Sequence, residues 1–314
     1  VANQLLNTSF GELSVATKKQ IELNQKTYFG VLSDNLAKIN QQQEAINNII
    51  ESPDFAYTSK IAAIAASKSS SLELHQNLAS LIVHRINNDS EDLKKIVYNE
   101  AIGTIAKLTT DQLKIITLCF LLRYTRNQAI ISLETFNQYL NQHISPFLDF
   151  KNTVSQFEHV QYAGCGNISI GGWNYIGIIK SHYFHIFFKL VAKEEIDALE
   201  IDEELSKKLF DYRPEEKKFH IPFEQKTLQE FLEDQGVEQS KKQQIINLYN
   251  SHMMNDNEIK EILKDSTDQG EKILEILEKT PLRNMSLTSV GKAIAMTYFE
   301  QISGMPLNSD IWIN

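Results

Sequence analysis

The chain has 314 residues, 42% of them hydrophobic and 23% charged, with a net charge of -9. Those are the proportions of a folded, two-domain protein, and they exclude a disordered chain and a basic, non-specific nucleic-acid binder. Two cysteines exclude a disulfide framework and a cysteine-based zinc site, and six prolines with twelve glycines favour helices over a turn-rich β-sandwich.

The chain opens on Val1-Ala2-Asn3 rather than Met, the pattern expected of a trimmed or processed product that has lost an N-terminal segment. No secretory leader pattern follows. The longest apolar run, Ile115 to Leu122, is far shorter than the roughly 20 residues of a membrane span. A soluble, cytoplasmic protein without a membrane span is therefore expected. Lysine greatly outnumbers arginine, the bias of an AT-rich bacterial genome, and bidentate anion clamps are correspondingly scarce.

Residues Ser14 to Ile50 read as one long helix. Leu32, Ile39 and Ile46 recur at heptad spacing, with Ile21, Tyr28 and Ile49 beside them and Asn35 and Gln42 interrupting the seam. Such a helix either packs on its own domain or pairs with a second copy. Ser52-Pro53-Asp54 starts the next helix, with Asp54 a capping candidate and an alanine-rich stretch from Ile61 to Ala66. Helices follow over Leu72–Ile86 and through Leu93, Ile96, Val97, Ala101 and Ile105, with Ser90 a capping candidate. Thr110-Asp111 then opens the apolar helix Leu113–Tyr124. These elements predict a helical bundle over residues 52–150, after a coiled-coil-like helix over 1–51.

The texture changes after Gln161. Gly164, Gly166, Gly171, Gly172 and Gly177 lie close together, and a β-hairpin turning at Gly171-Gly172 is predicted across about Asn167–Ile178. The segment Glu194–Lys279 holds 23 acidic and 12 basic residues, a net of -11, while the remaining 19 basic and 17 acidic residues leave +2. It reads as an acidic helical insertion, with helices at about Asp202–Tyr212, Gln225–Asp234, Glu238–Asn250, Asp256–Lys264 and Asp268–Lys279. A strand at about Asn284–Leu287 enters a terminal helix, Ser289–Ser303, capped by Thr288 or Ser289. Helix, strand, strand, helix is the order of a winged-helix-like module over 151–314, interrupted by the acidic insertion. The fold class expected is mainly α, with a small α+β module at the C-terminal end.

No chemistry-bearing motif emerges. Gly164-Cys165-Gly166 continues as neither GxGxxG nor a P-loop, and reads as a turn. His182 and His185 can share a helix face, but two imidazoles need further ligands to hold a metal. Cys119 lies in an apolar helix and should be inert, whereas Cys165, in a glycine-rich loop, is the more exposed nucleophile candidate. Glu203-Glu204 and Glu215-Glu216 read as solvated helix faces. Lys151, Lys180, Arg283 and Lys292 are the few cations near the winged-helix-like elements. No catalytic, cofactor-binding or metal-binding residue is assigned.

Two stretches are distinctive together. One runs through Leu78-Ala79-Ser80-Leu81-Ile82, Asn99–Thr109 and Leu113-Lys114-Ile115. The other is Leu287-Thr288-Ser289-Val290-Gly291-Lys292-Ala293-Ile294-Ala295, closing on Trp312-Ile313. They resemble a loose group of poorly characterised bacterial proteins that includes the abortive-infection Abi-alpha type. There a helical bundle with an LxxLLAxxI helix precedes a module ending in LTxxGxxIA. The resemblance implies a helical bacterial cytoplasmic protein tied to phage defence, and it transfers no catalytic residue. The leading expectation is a non-enzymatic, oligomerising interaction protein, with the N-terminal helix as the homo-oligomer contact. The alternatives are a winged-helix DNA-binding regulator and a hydrolase or nuclease that gathers Cys165, His182, His185 and a carboxylate.

Overall fold

The computed structural model describes residues 13–39, 43–88 and 92–313. The fold is mainly α with a small β part. No helix among the described residues is long and apolar enough to cross a membrane. Two compact units divide the chain. The first holds Val1–Phe120, Asp149–Ile170 and Asn284–Asn314, and the second Leu121–Leu148 and Gly171–Arg283. These units cut across the boundaries read at residues 51 and 150, because each gathers segments far apart in sequence.

In the first unit, α1 (Val15–Leu36) starts at Ser14, whose hydroxyl accepts from the Thr17 amide. It ends where the amides of Lys38 and Ile39 turn to the carbonyls of Asn35 and Leu36, tightening the last turn. Gln43–Ile50 is a separate helix, α2. The single helix expected over Ser14–Ile50 is therefore interrupted, and Gln41-Gln42 lies outside the described residues. Asn24 and Tyr28 are buried on the face of α1 that packs against α3 (Pro53–Ser67) and α4 (Leu72–Asn87). Of the seam residues, Tyr28 is buried within the bundle, and Ile21, Leu32 and Ile39 are half-buried.

Ser52, not Asp54, caps α3 by accepting from the Phe55 amide, with Pro53 in the first turn. Asp54 instead accepts from Arg85 at 2.6 Å and from Asn99 at 3.1 Å. Arg85 Nε also donates to Asn99 Oδ1 at 3.0 Å. This network joins α3, α4 and α5 (Asp92–Ile105). The capping candidate Ser90 lies outside the described residues. Helix α6 (Thr110–Tyr124) is entered through Thr109, which exchanges hydrogen bonds with Gln112 in a capping-box arrangement one residue earlier than expected.

Helix α7 (Leu133–Tyr139) belongs to the second unit, and α8 (Val154–Tyr162) returns to the first. The hairpin expected at Asn167–Ile178 does not form. Strand β1 (Gly166–Ile168) pairs antiparallel with Met285–Leu287, with Asn167 opposite Ser286, and Tyr175–His182 is a helix, α9. Asn174 caps α9 by accepting from the Gly177 amide, so Gly177 serves a helix entry rather than a hairpin.

The second unit contains the acidic segment. Its helices α10 (Lys193–Asp197) and α11 (Glu203–Leu209) lead into a hairpin of β2 (Asp211–Arg213) and β3 (Lys218–His220). Glu215 and Glu216 sit in the turn of that hairpin and not on a helix. Lys217 there has φ 53°, the left-handed backbone of a tight reversal. Then come α12 (Gln225–Asp234), α13 (Gln239–His252), α14 (Asp256–Asp265) and α15 (Gly270–Lys279). Phe188, Leu209, Phe210, Leu228, Leu232, Ile245 and Tyr249 form one buried cluster among them. Three pairs at i,i+4, including Lys207–Glu203 and Lys208–Glu204, dress the surfaces of α10 and α11.

Strand β4 (Met285–Leu287) brings the chain back to the first unit, and α16 (Ser289–Ser303) follows. Thr288 caps α16 as expected, accepting from the Gly291 amide at 3.1 Å. Its hydroxyl also donates to the Gly164 carbonyl at 2.7 Å, and its amide donates to the Cys165 carbonyl at 3.1 Å. The LTxxGxxIA stretch is thus a packing device that seats the start of α16 on the Gly164-Cys165 turn. The buried face of α16 packs on α4 and α5, with Ile294 and Tyr298 in the core.

Candidate functional site

Cys165 lies in the first unit, and His182 and His185 in the second. Cys165 is fully buried, contrary to the exposure expected of a glycine-rich loop. Its backbone is held by Val160 and Thr288, and burial pushes the thiol up to about 12. At neutral pH it is a thiol, not a thiolate nucleophile. Cys119 is buried as well, with Sγ directed to the Met285 carbonyl. Native protein should therefore resist a thiol-specific reagent at pH 8 and release both thiols only on denaturation. Rapid native labelling of Cys165 would refute the burial argument.

His182 ends α9, and burial lowers its pKa, with the nearby Arg126 acting in the same direction. His185 Nε2 meets the Ile130 carbonyl at 2.8 Å, and the His185 carbonyl faces His220 Nε2 at 3.2 Å. These imidazoles serve backbone carbonyls. Among the described residues no group of three or more His, Cys, Asp or Glu could hold a metal ion. Lys151 and Lys292 fall in the first unit, Lys180 and Arg283 in the second. Lys292 Nζ caps the Trp312 carbonyl at 3.4 Å.

Two concave regions of the first unit stand out. One has a volume of about 740 Å³ and is lined by Asn35, Lys38, Ser80, His84 and Glu300, with Gly304 and Pro306 beyond. His84 Nε2 meets Glu300 Oε2 at 2.7 Å, and Glu300 Oε1 accepts from the Leu307 amide at 2.6 Å. The His84 ring stacks on Tyr98 at 5.6 Å. Both groups of the pair are engaged in holding α4 to the end of α16. Ser80, one turn before His84, has its hydroxyl against Asn35 Nδ2 at 3.5 Å. The arrangement is a clasp between elements, and it presents no activated nucleophile.

The other region, about 640 Å³, is a groove between α3 and α5 that continues over the starts of α4 and α6. Ile61, Ile64 and Ala65 line one wall, and Gly103 and Ala106 the other. The inner face of α3 is already spent: Phe55, Thr58, Ala62 and Ala66 are buried. Its outer face nevertheless leaves Tyr57 68% and Ile64 45% exposed, and on α5 Ile96 is 57% exposed. These large apolar side chains are left outward on helices whose inner faces are full. Sequence reasoning passed over them, although an α3 that is apolar on nearly every face was the available signal.

A family model spans residues 1–313, described only as ":-like" and naming no activity. The chain belongs to that uncharacterised family. No curated protein and no solved structure matches it.

Proposed function

We propose that the protein is a non-enzymatic interaction protein that assembles into homo-oligomers and acts in bacterial defence against phage. The observation that carries the interaction reading is the set of large apolar side chains on outward faces of the bundle: Leu23 and Phe29 on α1, Tyr57 and Ile64 on α3, Leu93 and Ile96 on α5. The defence role rests on the resemblance of the Leu78–Ile115 and Leu287–Ala295 stretches to abortive-infection proteins. The DNA-binding alternative has less support, since Lys292 Nζ already meets the Trp312 carbonyl and the local hairpin of its module does not form.

Self-assembly is assigned to the outer face of α1, because its inner face is used within the bundle. Light scattering should give a mass above that of one chain. Leu23→Glu with Phe29→Glu should return a monomer with an unchanged helical circular-dichroism spectrum, since both side chains are more than half exposed. A wild-type monomer at every concentration would remove the oligomerising part of the proposal. Plaque counts on a host expressing the gene test the defence part: a drop supports it, and equal plaquing removes it.

A further inference from the structure

We propose that the groove between α3 and α5 docks an acidic amphipathic helix of a partner protein. This rests on the interaction reading and names the partner's chemistry.

The groove has the form that helix-in-groove recognition needs. Tyr57, Ile61 and Ile64 recur at i, i+4 and i+7 along α3, so their side chains form one outward apolar stripe. The facing wall carries the small residues Gly103 and Ala106. A Cβ added at Gly103 would meet nothing within 4 Å, so the space above that turn of α5 is open. Small residues on one wall and branched ones on the other let an incoming helix approach closely.

Charge sets the partner. Lys60 stands on α3 within the stripe, and Lys68 and Lys107 stand at the end of the groove. Among the described residues none of the three is in an ion pair, whereas Lys94 and Lys95 of α5 are paired with Asp310 and Asp92. Glu73, the carboxylate in the lining, is already held by the hydroxyls of Thr110 at 2.5 Å and Tyr298 at 2.7 Å. Two carboxylates, Glu73 in the lining and Glu100 exposed on α5, stand against the three lysines. The rim is positive around an apolar trough, and a helix with an apolar stripe flanked by carboxylates is its complement.

The probe is a synthetic amphipathic peptide of about 18 residues, five turns, with leucines at i, i+3, i+4 and i+7 and glutamates elsewhere. Its control replaces every glutamate with lysine. Titration against the full chain, followed by the peptide's fluorescence anisotropy, should show the acidic peptide bound and the basic one at least tenfold weaker. Gly103→Leu fills the open space without touching the core, and Ile64→Glu breaks the stripe. Each should weaken the acidic peptide tenfold or more. Lys68→Glu with Lys107→Glu should reverse the charge preference. Retained thermal unfolding of Gly103→Leu guards against a folding artefact. Equal binding of both peptides, binding of neither, or indifference to Gly103→Leu overturns the site. So does a wild-type dimer that Gly103→Leu dissociates, which would make a second copy the occupant. A chain that oligomerises through Leu23 and Phe29 yet binds neither peptide keeps the interaction reading and loses this groove.

Discussion

Gly291→Ala is expected to cost about 3 kcal/mol or more of folding stability, at or above the upper end of ordinary overpacking. A Cβ at Gly291 would lie 1.9 Å from the Cys165 carbonyl oxygen and 2.8 Å from its carbonyl carbon. Both are backbone atoms, so no rotamer change can relieve the clash. Moving α16 outward would break the Thr288 hydrogen bonds to Gly164 and Cys165, and would pull Ile294 and Tyr298 off the bundle. Urea unfolding followed by circular dichroism measures the loss. Gly171→Ala is the matched control, since an added Cβ there meets nothing within 4 Å. A Gly291→Ala protein within about 0.5 kcal/mol of wild type, the range of a neutral surface change, would contradict this packing account.

Asp54→Ala should cost about 2–3 kcal/mol, because it strips the carboxylate from a buried guanidinium. The Arg85 side chain is only 1% exposed, while Asp54 is 52% exposed. The cost therefore sits on the arginine, which keeps its hydrogen bond to Asn99 and loses the one to Asp54. The solvent exposure of Asp54 holds the figure below that of a fully buried broken pair. Asp54→Ala combined with Arg85→Met should lose less than Asp54→Ala alone, since an apolar side chain of similar length needs no partner there. Acid adds a second signature. The Arg85 hydrogen bond holds the Asp54 carboxyl below the usual carboxylate range. The folded state thus binds that proton less readily than the unfolded chain, and the stabilisation is present above the ordinary aspartate pKa. It is lost as pH falls through the lowered value. Asp54→Asn should flatten this acid limb in stability measured against pH. An unchanged limb would mean that other carboxylates set it.

Several elements were readable one residue at a time. The helix α12 at Gln225–Asp234 and the helix α16 at Ser289–Ser303 lie where periodicity and caps put them. Both are local: a helix closes hydrogen bonds four residues apart, and a cap needs only its own first turn. The β-structure was not readable. Strand β1 finds its partner beyond residue 280, so a cluster of glycines suggested a nearby hairpin that the chain does not make. The true hairpin, β2 with β3, was hidden because Asp211, Tyr212 and Arg213 are all exposed and show no alternation.

The sites divide in the same way. The environment of Cys165 was not visible in the sequence. Glycine neighbours suggested an open loop, whereas Gly291, distant in sequence, is what lets α16 press onto the Cys165 backbone, and the thiol is buried. The stripe Tyr57, Ile61 and Ile64 was present in the sequence as apolar residues among many. Which of them stayed outside depended on Phe55, Ala62 and Ala66 filling the inner face first.

The sequence by itself determined a helical protein, the extents of helices such as α12 and α16, the concentration of acid between residues 194 and 279, and the role of Thr288. Only the tertiary structure decided that α1 buries Tyr28 inside its own bundle, that β1 and β4 meet, that Cys165 is sealed, and that the groove beside Gly103 stays open. Hydrogen bonds within a helix depend on neighbours in sequence, whereas burial and strand pairing depend on which distant surfaces reach each other.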